Sequence, residues 1–266
     1  MSIYLPNEIK QFTASKSYES DNIGLSGSTV LIYDDMVLKI EPYNESLDST
    51  VAVMKWAGDK LPVPKVMCYT VENDISYLLM SRITGEISCD EFYMEQSDTT
   101  VDILANGINM LQNTDITGCP KEISFADDLA TVQFNVDNNL VDETVIDYTL
   151  LNRFGITNIK ELLKWLKSNV PDYEPVLSHG DYCMPNVVLK NEDISGFIDL
   201  GEMAISDKWK DIALCYISLK NNFNGFFGGK IYPDFYADTL FEKLGIKPDW
   251  NKLNYYFLLN ELFKTK

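Results

Sequence analysis

Hydrophobic and polar positions follow two different periods along this 266-residue chain. Between residues 20 and 42, short apolar runs such as TVLIY and MVLKI are separated by glycine-serine and Asp-Asp turn signals, a pattern that predicts a meander of strands. Residues 47–58 have apolar side chains at helical spacing, and 61–81 return to strand-like runs around an Asn-Asp turn. We therefore predict a small sheet carrying one helix over the first 80 residues.

The helical period dominates the rest of the chain. Apolar residues recur every three or four positions in four segments, at 97–113, 158–168, 206–220 and 249–263. We predict an α+β protein of two unequal lobes: an antiparallel sheet with one helix at 1–80, a hinge at 81–85, and a mainly helical lobe at 86–266. Nucleotide-dependent transferases use such an architecture, although a fold by itself does not fix a function.

The composition narrows the class of protein. Hydrophobic residues make up 45% and charged residues 23%, which is ordinary for a globular protein and excludes disordered and fibrous classes. With 22 basic and 40 acidic residues, the net charge of −18 repels a nucleic-acid backbone and attracts cations. We expect no nucleic-acid partner. A cationic substrate and ordinary solubility are alternative explanations of the charge.

Neither a membrane span nor a disulfide framework is expected. The N-terminal residues lack a basic segment followed by an apolar one, and no run approaches the roughly 18 apolar residues of a membrane helix. We expect a cytoplasmic protein that is a monomer or a weak dimer. The five cysteines are scattered without a CxxC pair, which argues against disulfides and a structural zinc site.

The stretch HGDYCMPNVVL at 179–189 carries the most distinctive chemistry. Asp181 follows the only histidine of the chain by two residues, and Asn186 lies five residues further on. The runs VVL and GFIDLG, separated by the turn KNED, predict a hairpin that brings Asp199 back toward Asn186. Amide and carboxylate oxygens suit Mg²⁺, which leaves Asp181 to accept a proton from a hydroxyl group. We interpret His179 as a brace for the loop, because Asp181 is better placed to act as the base.

Two N-terminal features complete a phosphoryl-transfer pattern. A catalytic Asp, an Asn five residues later, a metal-binding Asp, a strand lysine and a glycine-rich loop recur in protein-kinase sites. Lys39 is the strand lysine here and would hold phosphates as a point charge. In GLSGS at 24–28, glycines would let backbone N–H groups approach phosphates and serines would add donors. The residues concerned are Gly24, Ser26, Gly27 and Ser28. Each feature alone is weak, but five in the correct order are hard to explain by chance.

Longer motifs make a family resemblance specific. They cover most of the chain: GLSGSTV, VLKI, KLPVPKV, LLMS, SHGD, GFIDLG, DKWKDIALC, GIKPDW and YYFLLNELF. The sequence resembles the aminoglycoside 3'-phosphotransferases, the kanamycin kinase family of antibiotic-resistance enzymes, which have a protein-kinase-like fold. The resemblance implies transfer of the ATP γ-phosphate to an aminoglycoside hydroxyl, at the 3' position, with Asp181 as base and Mg²⁺ on Asn186 and Asp199.

The same resemblance implies roles for residues outside the catalytic stretch. Met80, Ser81 and Ile83 would form the adenine-facing hinge. Asp207 would cap, and Asp211 would brace, the helix behind the catalytic loop.

Two departures from the family pattern affect the nucleotide side. Val37 stands where the family has an aromatic residue against adenine, which leaves the choice between ATP and GTP open. Thr50 stands where a helix glutamate pairs with the strand lysine. Glu45 or Asp48 could take that place if the helix is shifted by one turn, and the sequence does not choose between them.

The substrate side departs further. The resemblance places Glu261 and Phe263 at an antibiotic pocket closed by the C-terminal helix, but here a Lys-Thr-Lys tail follows Phe263. Asn221 and Asn222 replace an acidic pair. The loop FNGFFGGKIYPDF is longer than in typical members, and we interpret its FFGG stretch as a loop with a core-facing aromatic pair rather than an apolar flap.

Acidic residues are dense at 122–152, where the family places its antibiotic-binding insertion. This segment contains seven Asp or Glu residues and no Lys or Arg, so a cation site is plausible there. We single out Asp147 as a substrate contact and interpret several of the others as a solvated helical face. Two alternative functions stay open: a kinase of the same fold acting on choline, a sugar or a macrolide, and a nucleotide-binding protein without catalysis.

Overall fold

An antiparallel sheet forms the N-terminal part of the protein in the computed structural model, which describes residues 3–21 and 28–266. Its five strands are β1 (Glu19–Asp21), β2 (Thr29–Ile32), β3 (Met36–Pro42), β4 (Val66–Glu72) and β5 (Ile75–Ser81). Their spatial order is β1–β2–β3–β5–β4. The β4–β5 connection consists of Asn73 and Asp74, both at positive φ, which is the conformation that a two-residue hairpin turn requires.

The two faces of this sheet have different partners. One face packs against α1 (Asn7–Thr13), whose Ile9 is completely buried beside Leu38 of β3. Successive residues of a strand point to opposite faces, so Lys39 points away from this core. On the side of Lys39 lies α2 (Glu45–Ala57), the one helix predicted in this part of the chain. The sheet therefore presents a lysine toward α2 and the rest of the chain.

Helices dominate the remainder of the protein. They are α3 (Glu91–Met94), α4 (Ser97–Gln112), α5 (Phe125–Asp137), α6 (Tyr148–Asn152), α7 (Ile159–Ser168), α8 (Trp209–Phe223), α9 (Thr239–Leu244) and α10 (Trp250–Glu261). Five short strands accompany them: β6 (Glu86–Ile87), β7 (Pro175–Ser178), β8 (Val187–Lys190), β9 (Asp193–Phe197) and β10 (Ala204–Asp207). β6, β8 and β9 form one sheet, and β7 pairs with β10.

Helix α4 runs through the core of the helical part and touches the loop that carries the chemistry. Leu104 and Ile108 of this helix have no exposed surface. A Cβ on Gly107 would lie 2.1 Å from the hydroxyl oxygen of Tyr182. That hydroxyl donates a hydrogen bond to the carbonyl of Leu104 at 2.9 Å. Glycine at position 107 thus lets the helix press against the segment between β7 and β8.

The predicted α+β class is confirmed, and most of the predicted elements are present. The segments 97–113 and 158–168 contain α4 and α7, and the hairpin before Asp199 is formed by β8 and β9. The predicted helix at 206–220 starts too early, because β10 occupies the residues up to Asp207. The short helices α1, α3, α6 and α9 were not predicted, since one or two turns carry too little period. In the described part of the chain, no helix is long and apolar enough to cross a membrane.

Candidate active site

The loop between β7 and β8 is held from behind by a buried carboxylate on α8. Asp211 is 2% exposed and accepts hydrogen bonds from the Ser178 hydroxyl at 2.9 Å, the His179 N–H at 2.7 Å and the Gly180 N–H at 3.0 Å. Burial raises the pKa of this carboxyl, and the hydrogen bonds from the loop partly oppose that effect. The contacts match the bracing role that the resemblance implied for Asp211.

Gly180 could not be another residue in this backbone. Its φ is +82°, and a Cβ would lie 2.2 Å from the carbonyl oxygen of Glu202. The HGD sequence therefore combines a left-handed turn with close backbone approach, and only glycine meets both conditions.

His179 has no exposed surface and braces the loop as interpreted from the sequence. Its Nε2 lies 2.9 Å from the carbonyl oxygen of Ile198, and its Nδ1 accepts a hydrogen bond from the N–H of Asp181 at 3.3 Å. These partners require a neutral ring that carries its proton on Nε2. The ring thus connects the loop that carries Asp181 to the end of β9, which leads to Asp199.

Asp181 and Asn186 are brought into direct contact. The Asn186 amide nitrogen donates to the Asp181 carboxylate oxygen Oδ2 at 2.9 Å and to the Asp181 backbone carbonyl at 3.0 Å. Asn186 is only 8% exposed and ends a 3-10 turn that begins at Met184. Among the described residues, none donates a hydrogen bond to Oδ1 of Asp181. One carboxylate oxygen is therefore fixed and the other is available.

Asp199 lies beside this pair at the end of the β8–β9 hairpin. The N–H of Ile198 donates to the carbonyl of Asn186 at 2.9 Å, which closes the hairpin next to both predicted metal ligands. Asp199 is exposed and adopts the left-handed conformation, with φ 57° and ψ 61°. This backbone is sparsely populated by residues with a Cβ, although Asp and Asn adopt it more readily than most.

The thiol of Cys183 shares this loop but is not a competing nucleophile. Burial and, secondly, the charge of Asp181 raise its pKa to about 12. A thiol with such a pKa carries almost no thiolate at neutral pH.

Lys39, Met80 and Asp199 line one cavity of about 70 Å³, together with Thr50 of α2. The ammonium nitrogen of Lys39 lies 3.4 Å from the carboxylate of Glu41, two residues further along the same strand. Among the described residues, neither of the two acids left open as partners of the strand lysine, Glu45 and Asp48, pairs with Lys39. Asp48 instead accepts hydrogen bonds from the hydroxyl of Tyr43, just after β3, at 2.9 Å and from that of Tyr69 in β4 at 2.8 Å.

The predicted nucleotide contacts occupy the end of β5 and the residues after it. The hydroxyl of Ser81 accepts from the Lys65 N–H at 2.9 Å, which ties this residue to the neighbouring strand. Ile83 packs against Gly196, because a Cβ built on Gly196 would lie 2.9 Å from the side chain of Ile83. Ser28 is half-buried immediately before β2. The other predicted phosphate contacts, Gly24, Ser26 and Gly27, lie outside the described residues.

Glu261, a predicted substrate contact, is already engaged by its own chain. The carboxylate is almost buried, at 5% exposed, and accepts from the Asp147 N–H at 2.8 Å. The Lys264 ammonium group donates to both of its oxygens, at 2.7 and 2.8 Å, and to the carbonyl of Val145 at 3.2 Å. The tail is held in place because Thr265 forms a β-bridge with residue 141.

The other two predicted substrate contacts are more accessible. Asp147 is exposed, although its carboxylate caps α6 by accepting from the Leu150 N–H at 3.0 Å. Phe263 is 37% exposed at the end of the C-terminal helix. These three residues lie together at the end of α10, and their contact with a substrate stays a prediction.

Several acids of the segment 122–152 have structural partners. Asp128 forms a buried ion pair with Lys210 at 3.1 Å, and burial raises its pKa although the lysine lowers it in part. Asp127 completes a capping box with Ser124, and these hydrogen bonds lower its pKa. Outside this segment, Asp207 accepts from the Trp209 N–H at the start of α8 at 3.0 Å, where the resemblance implied a cap. Only part of the acidic segment is therefore available for a cationic ligand.

The interpretation of the FFGG stretch is wrong. Phe226 and Phe227 are 71% and 69% exposed instead of facing the core. Their turn is closed by the N–H of Phe226, which donates to Asn221 and Asn224. The aromatic pair is exposed because the core beside α8 is already filled. Phe223 and Phe235 stack there with their ring centroids 3.7 Å apart.

Lys121 has a contact that sequence reasoning missed. Its ammonium group donates to the carbonyl of Gly201, two residues after Asp199, at 2.7 Å. The two positions are 80 residues apart, and no local pattern in the sequence connects them.

The site combines three features: a strand lysine, an aspartate at the end of a hairpin in the same cleft, and a braced Asp-Asn loop beside them. This combination defines a phosphotransferase of the protein-kinase-like class. The sequence model of the phosphotransferase enzyme family matches residues 17–256, and the chain belongs to this family. An aminoglycoside 3'-phosphotransferase from Enterococcus faecalis is 37% identical over 212 residues, which cover 79% of this chain and 76% of that relative. One from Staphylococcus aureus is 36% identical over 212 residues, 79% of this chain and 77% of the relative.

Solved structures agree on the fold. An aminoglycoside phosphotransferase from Streptomyces rimosus superposes with a TM-score of 0.79 at 20% identity, over 96% of this chain and 95% of that one. The protein is thus a phosphate-transferring enzyme with a kinase-like fold.

Proposed function

We propose that this enzyme transfers the γ-phosphate of ATP to the 3'-hydroxyl of an aminoglycoside, and so confers antibiotic resistance. The observation that carries the proposal is the Asp181–Asn186 contact, with one carboxylate oxygen held at 2.9 Å and the other available. The identity of 37% to an aminoglycoside 3'-phosphotransferase supports the choice of acceptor.

Asp181 would act as the catalytic base. The hydrogen bond from Asn186 orients its carboxylate, and the free oxygen can accept the proton of the attacking hydroxyl group. Asp211 and His179 hold the backbone of this loop from behind, so the base is positioned before the substrate arrives. Phosphoryl transfer depends mainly on positioning and charge neutralisation, which is what this arrangement supplies.

Asn186 and Asp199 would hold Mg²⁺. Their side-chain oxygens accept no hydrogen bond from the described residues, and amide and carboxylate oxygens are ligands that Mg²⁺ prefers. When bound, the ion would neutralise charge on the nucleotide phosphates. Lys39 faces the same cavity and would add a positive charge there. ATP and GTP both stay possible as donors, since Val37 offers no aromatic surface for adenine.

A polyamine acceptor suits the charge of the protein. The net charge of −18 attracts a cationic sugar to the surface, and exposed acids such as Asp147 are available to receive its amines. Glu261 and Phe263 are proposed as further substrate contacts at the end of α10.

The occupied state of Glu261 favours a second candidate acceptor. Lys264 already neutralises this acid, so Glu261 contributes less binding energy to the amines of an acceptor. A hydroxylated molecule with fewer amines, such as a sugar or a macrolide, would lose less binding energy from this neutralisation than an aminoglycoside would. This candidate keeps the same base, metal ligands and nucleotide.

The test is phosphorylation of a panel of acceptors by the purified protein with MgATP. We expect turnover on aminoglycosides that have a 3'-hydroxyl, such as kanamycin, and none on matched compounds without it. Asp181→Asn should lower kcat by about 10²- to 10⁴-fold with little change in KM. Asp59→Asn, the same chemical change at an exposed turn, is the control. Full turnover in Asp181→Asn would refute the assigned base.

The panel also separates the alternatives. Phosphorylation of choline, a sugar or a macrolide, with no turnover on any aminoglycoside, would replace the acceptor and keep the mechanism. Tight MgATP binding without turnover on any alcohol would indicate a protein that binds nucleotides without catalysis.

A further inference from the structure

The carbonyl oxygen of Gly201 receives two side-chain hydrogen bonds from distant parts of the chain. Lys121 donates to it through its ammonium group at 2.7 Å, and Thr50 donates through its hydroxyl at 3.3 Å. Gly201 stands two residues after Asp199, inside the short 3-10 turn from Leu200 to Glu202. The turn that follows the proposed metal ligand is therefore held from two sides.

Lys121 approaches this turn from a segment whose backbone is hydrogen-bonded to β10. Its own carbonyl accepts from the N–H of Ile205 in β10 at 2.9 Å, and the N–H of Ile123 donates back to Ile205 at 2.9 Å. The backbone of Lys121 is thus fixed against the strand that continues from the turn. A charged donor on a fixed backbone makes a stronger hydrogen bond than a neutral one.

Thr50 approaches the turn from helix α2 of the N-terminal part. The residue is 8% exposed, and its hydroxyl is shared between Gly201 and the carbonyl of Ser46, which lies at 3.1 Å. One hydroxyl proton cannot serve both oxygens fully, so the contact to Gly201 is the weaker of the two anchors.

The ion pair that usually connects the helix to the strand lysine is replaced. In protein kinases, a helix glutamate pairs with that lysine and couples the helix to the catalytic state. Here Lys39 pairs with Glu41 of its own strand, and Thr50 of α2 reaches the turn after Asp199 instead. Helix α2 is therefore linked by hydrogen bonding to the metal side of the site.

We propose that Lys121, assisted by Thr50, is a positioning residue for the metal ligand Asp199. By holding the carbonyl of Gly201, the two side chains keep Asp199 in its left-handed backbone, which is unfavourable for a residue with a Cβ. On the other side of Asp199, the hydrogen bond from Ile198 to Asn186 fixes the chain. The inference rests on the proposed function, because it takes Asp199 to be a ligand of Mg²⁺.

The test compares Lys121→Met, which keeps the length of the side chain but removes the charge, with Lys121→Arg, which keeps a charged donor. Amide hydrogen exchange of residues 199–203 in the protein without nucleotide should be about tenfold faster in Lys121→Met, the effect of losing one charged hydrogen bond. Calorimetry should show MgADP binding weakened about tenfold and metal-free ADP binding unchanged. Lys121→Arg should restore most of the slow hydrogen exchange and most of the MgADP affinity.

Steady-state kinetics give a further readout. Lys121→Met should lower kcat and raise the Mg²⁺ concentration for half-maximal rate, without a change in KM for the acceptor. Lys60→Met is the matched control, since Lys60 also donates to a backbone carbonyl, that of Asp115 at 3.1 Å, outside the site. The proposal is overturned if Lys121→Met and Lys60→Met behave alike, or if metal-free ADP binding falls as much as MgADP binding.

A second variant keeps the proposal testable if the lysine variant does not fold. If Lys121→Met melts below the assay temperature, Thr50→Val decides, with Thr50→Ser as its control. A two- to threefold loss of MgADP affinity is expected in Thr50→Val. An unchanged affinity would overturn the proposal that Thr50 helps Lys121 to position Asp199. If no alcohol is phosphorylated by any variant but the MgADP difference persists, the proposed function fails and the positioning role stands.

Discussion

Replacing Lys264 by methionine would remove the ammonium group that donates to both carboxylate oxygens of Glu261, at 2.7 and 2.8 Å. Methionine has nearly the same length, so the tail can keep its backbone pairing with residues 140–142. Among the described residues, only the N–H of Asp147 would still donate to the nearly buried carboxylate. The change therefore removes the ammonium group, together with its hydrogen bond to the carbonyl of Val145 at 3.2 Å, and keeps the length of the side chain.

The expected loss of stability follows from the exposure of the two partners. At 2.7 Å and an effective dielectric constant of about 20, the gross attraction is about 6 kcal/mol. The lysine side chain is 32% exposed, so solvent screens the attraction and the net contribution of the pair is well below the gross value. We expect a net loss of about 1 to 3 kcal/mol in the free energy of unfolding. That loss corresponds to a fall in Tm of about 2 to 5 °C.

Substrate affinity should change in the opposite direction. If the amines of an aminoglycoside contact Glu261, the variant frees this acid for them, and KM should fall about five- to tenfold. An added aminoglycoside should consequently raise the Tm of Lys264→Met more than that of the unchanged protein. The assays are thermal melts with and without aminoglycoside and steady-state kinetics on the same compound.

Lys266→Met is the matched control for this pair of effects. It removes the same charge from the same tail, but its ammonium group donates to a backbone carbonyl, that of Asn139, at 3.4 Å. An equal gain in affinity in both variants would refute the reasoning, because it would show a general effect of net charge. A lower stability of Lys264→Met without any gain in affinity would place Glu261 outside the substrate site.

Three further predictions concern the core, pH and metal. Lys210→Met should cost about 3 to 5 kcal/mol in chemical denaturation, because it leaves Asp128 buried without its cation, and adding Asp128→Leu should recover most of this loss. Lys252 holds the pKa of Glu174 below its ordinary value of 4.5, so this pair stabilises the fold fully above pH 4.5 and less as pH falls through the native pKa. Glu174→Gln should thus lower Tm at pH 7, and the difference should close under acid; a constant difference would contradict the shift. Chelation by EDTA should stop turnover and added Mg²⁺ should restore it, and turnover that persists in EDTA would remove the role of Asn186 and Asp199.

Local patterns predicted the parts of the site that are close in sequence. Asp181, Asn186 and Asp199 are joined by a loop and a hairpin, and the hairpin register from Val187 to Phe197 brings its two ends together without help from the rest of the chain. The periods of the long strands and helices specified the α+β class for the same local reason. The need for glycine in HGD was not predicted, because the carbonyl of Glu202 that excludes a Cβ there is brought close only by the folded chain.

Contacts between distant elements could not be read in this way. The partner of Lys39 depends on how α2 lies against the sheet, and the structure places Glu41 beside the lysine and turns Asp48 toward two tyrosines. The exposure of Phe226 depends on which aromatic side chains already fill the core beside α8. Short helices also escaped prediction, because their few residues have no measurable period.

The sequence by itself determined the family, the order of the proposed catalytic residues and the net charge of −18. The tertiary structure alone decided that Lys264 occupies Glu261 and that Lys121 holds the turn after Asp199. A side chain's charge and length are written in the sequence, but a hydrogen bond also needs two atoms at about 3 Å, and that distance is set by how the elements pack.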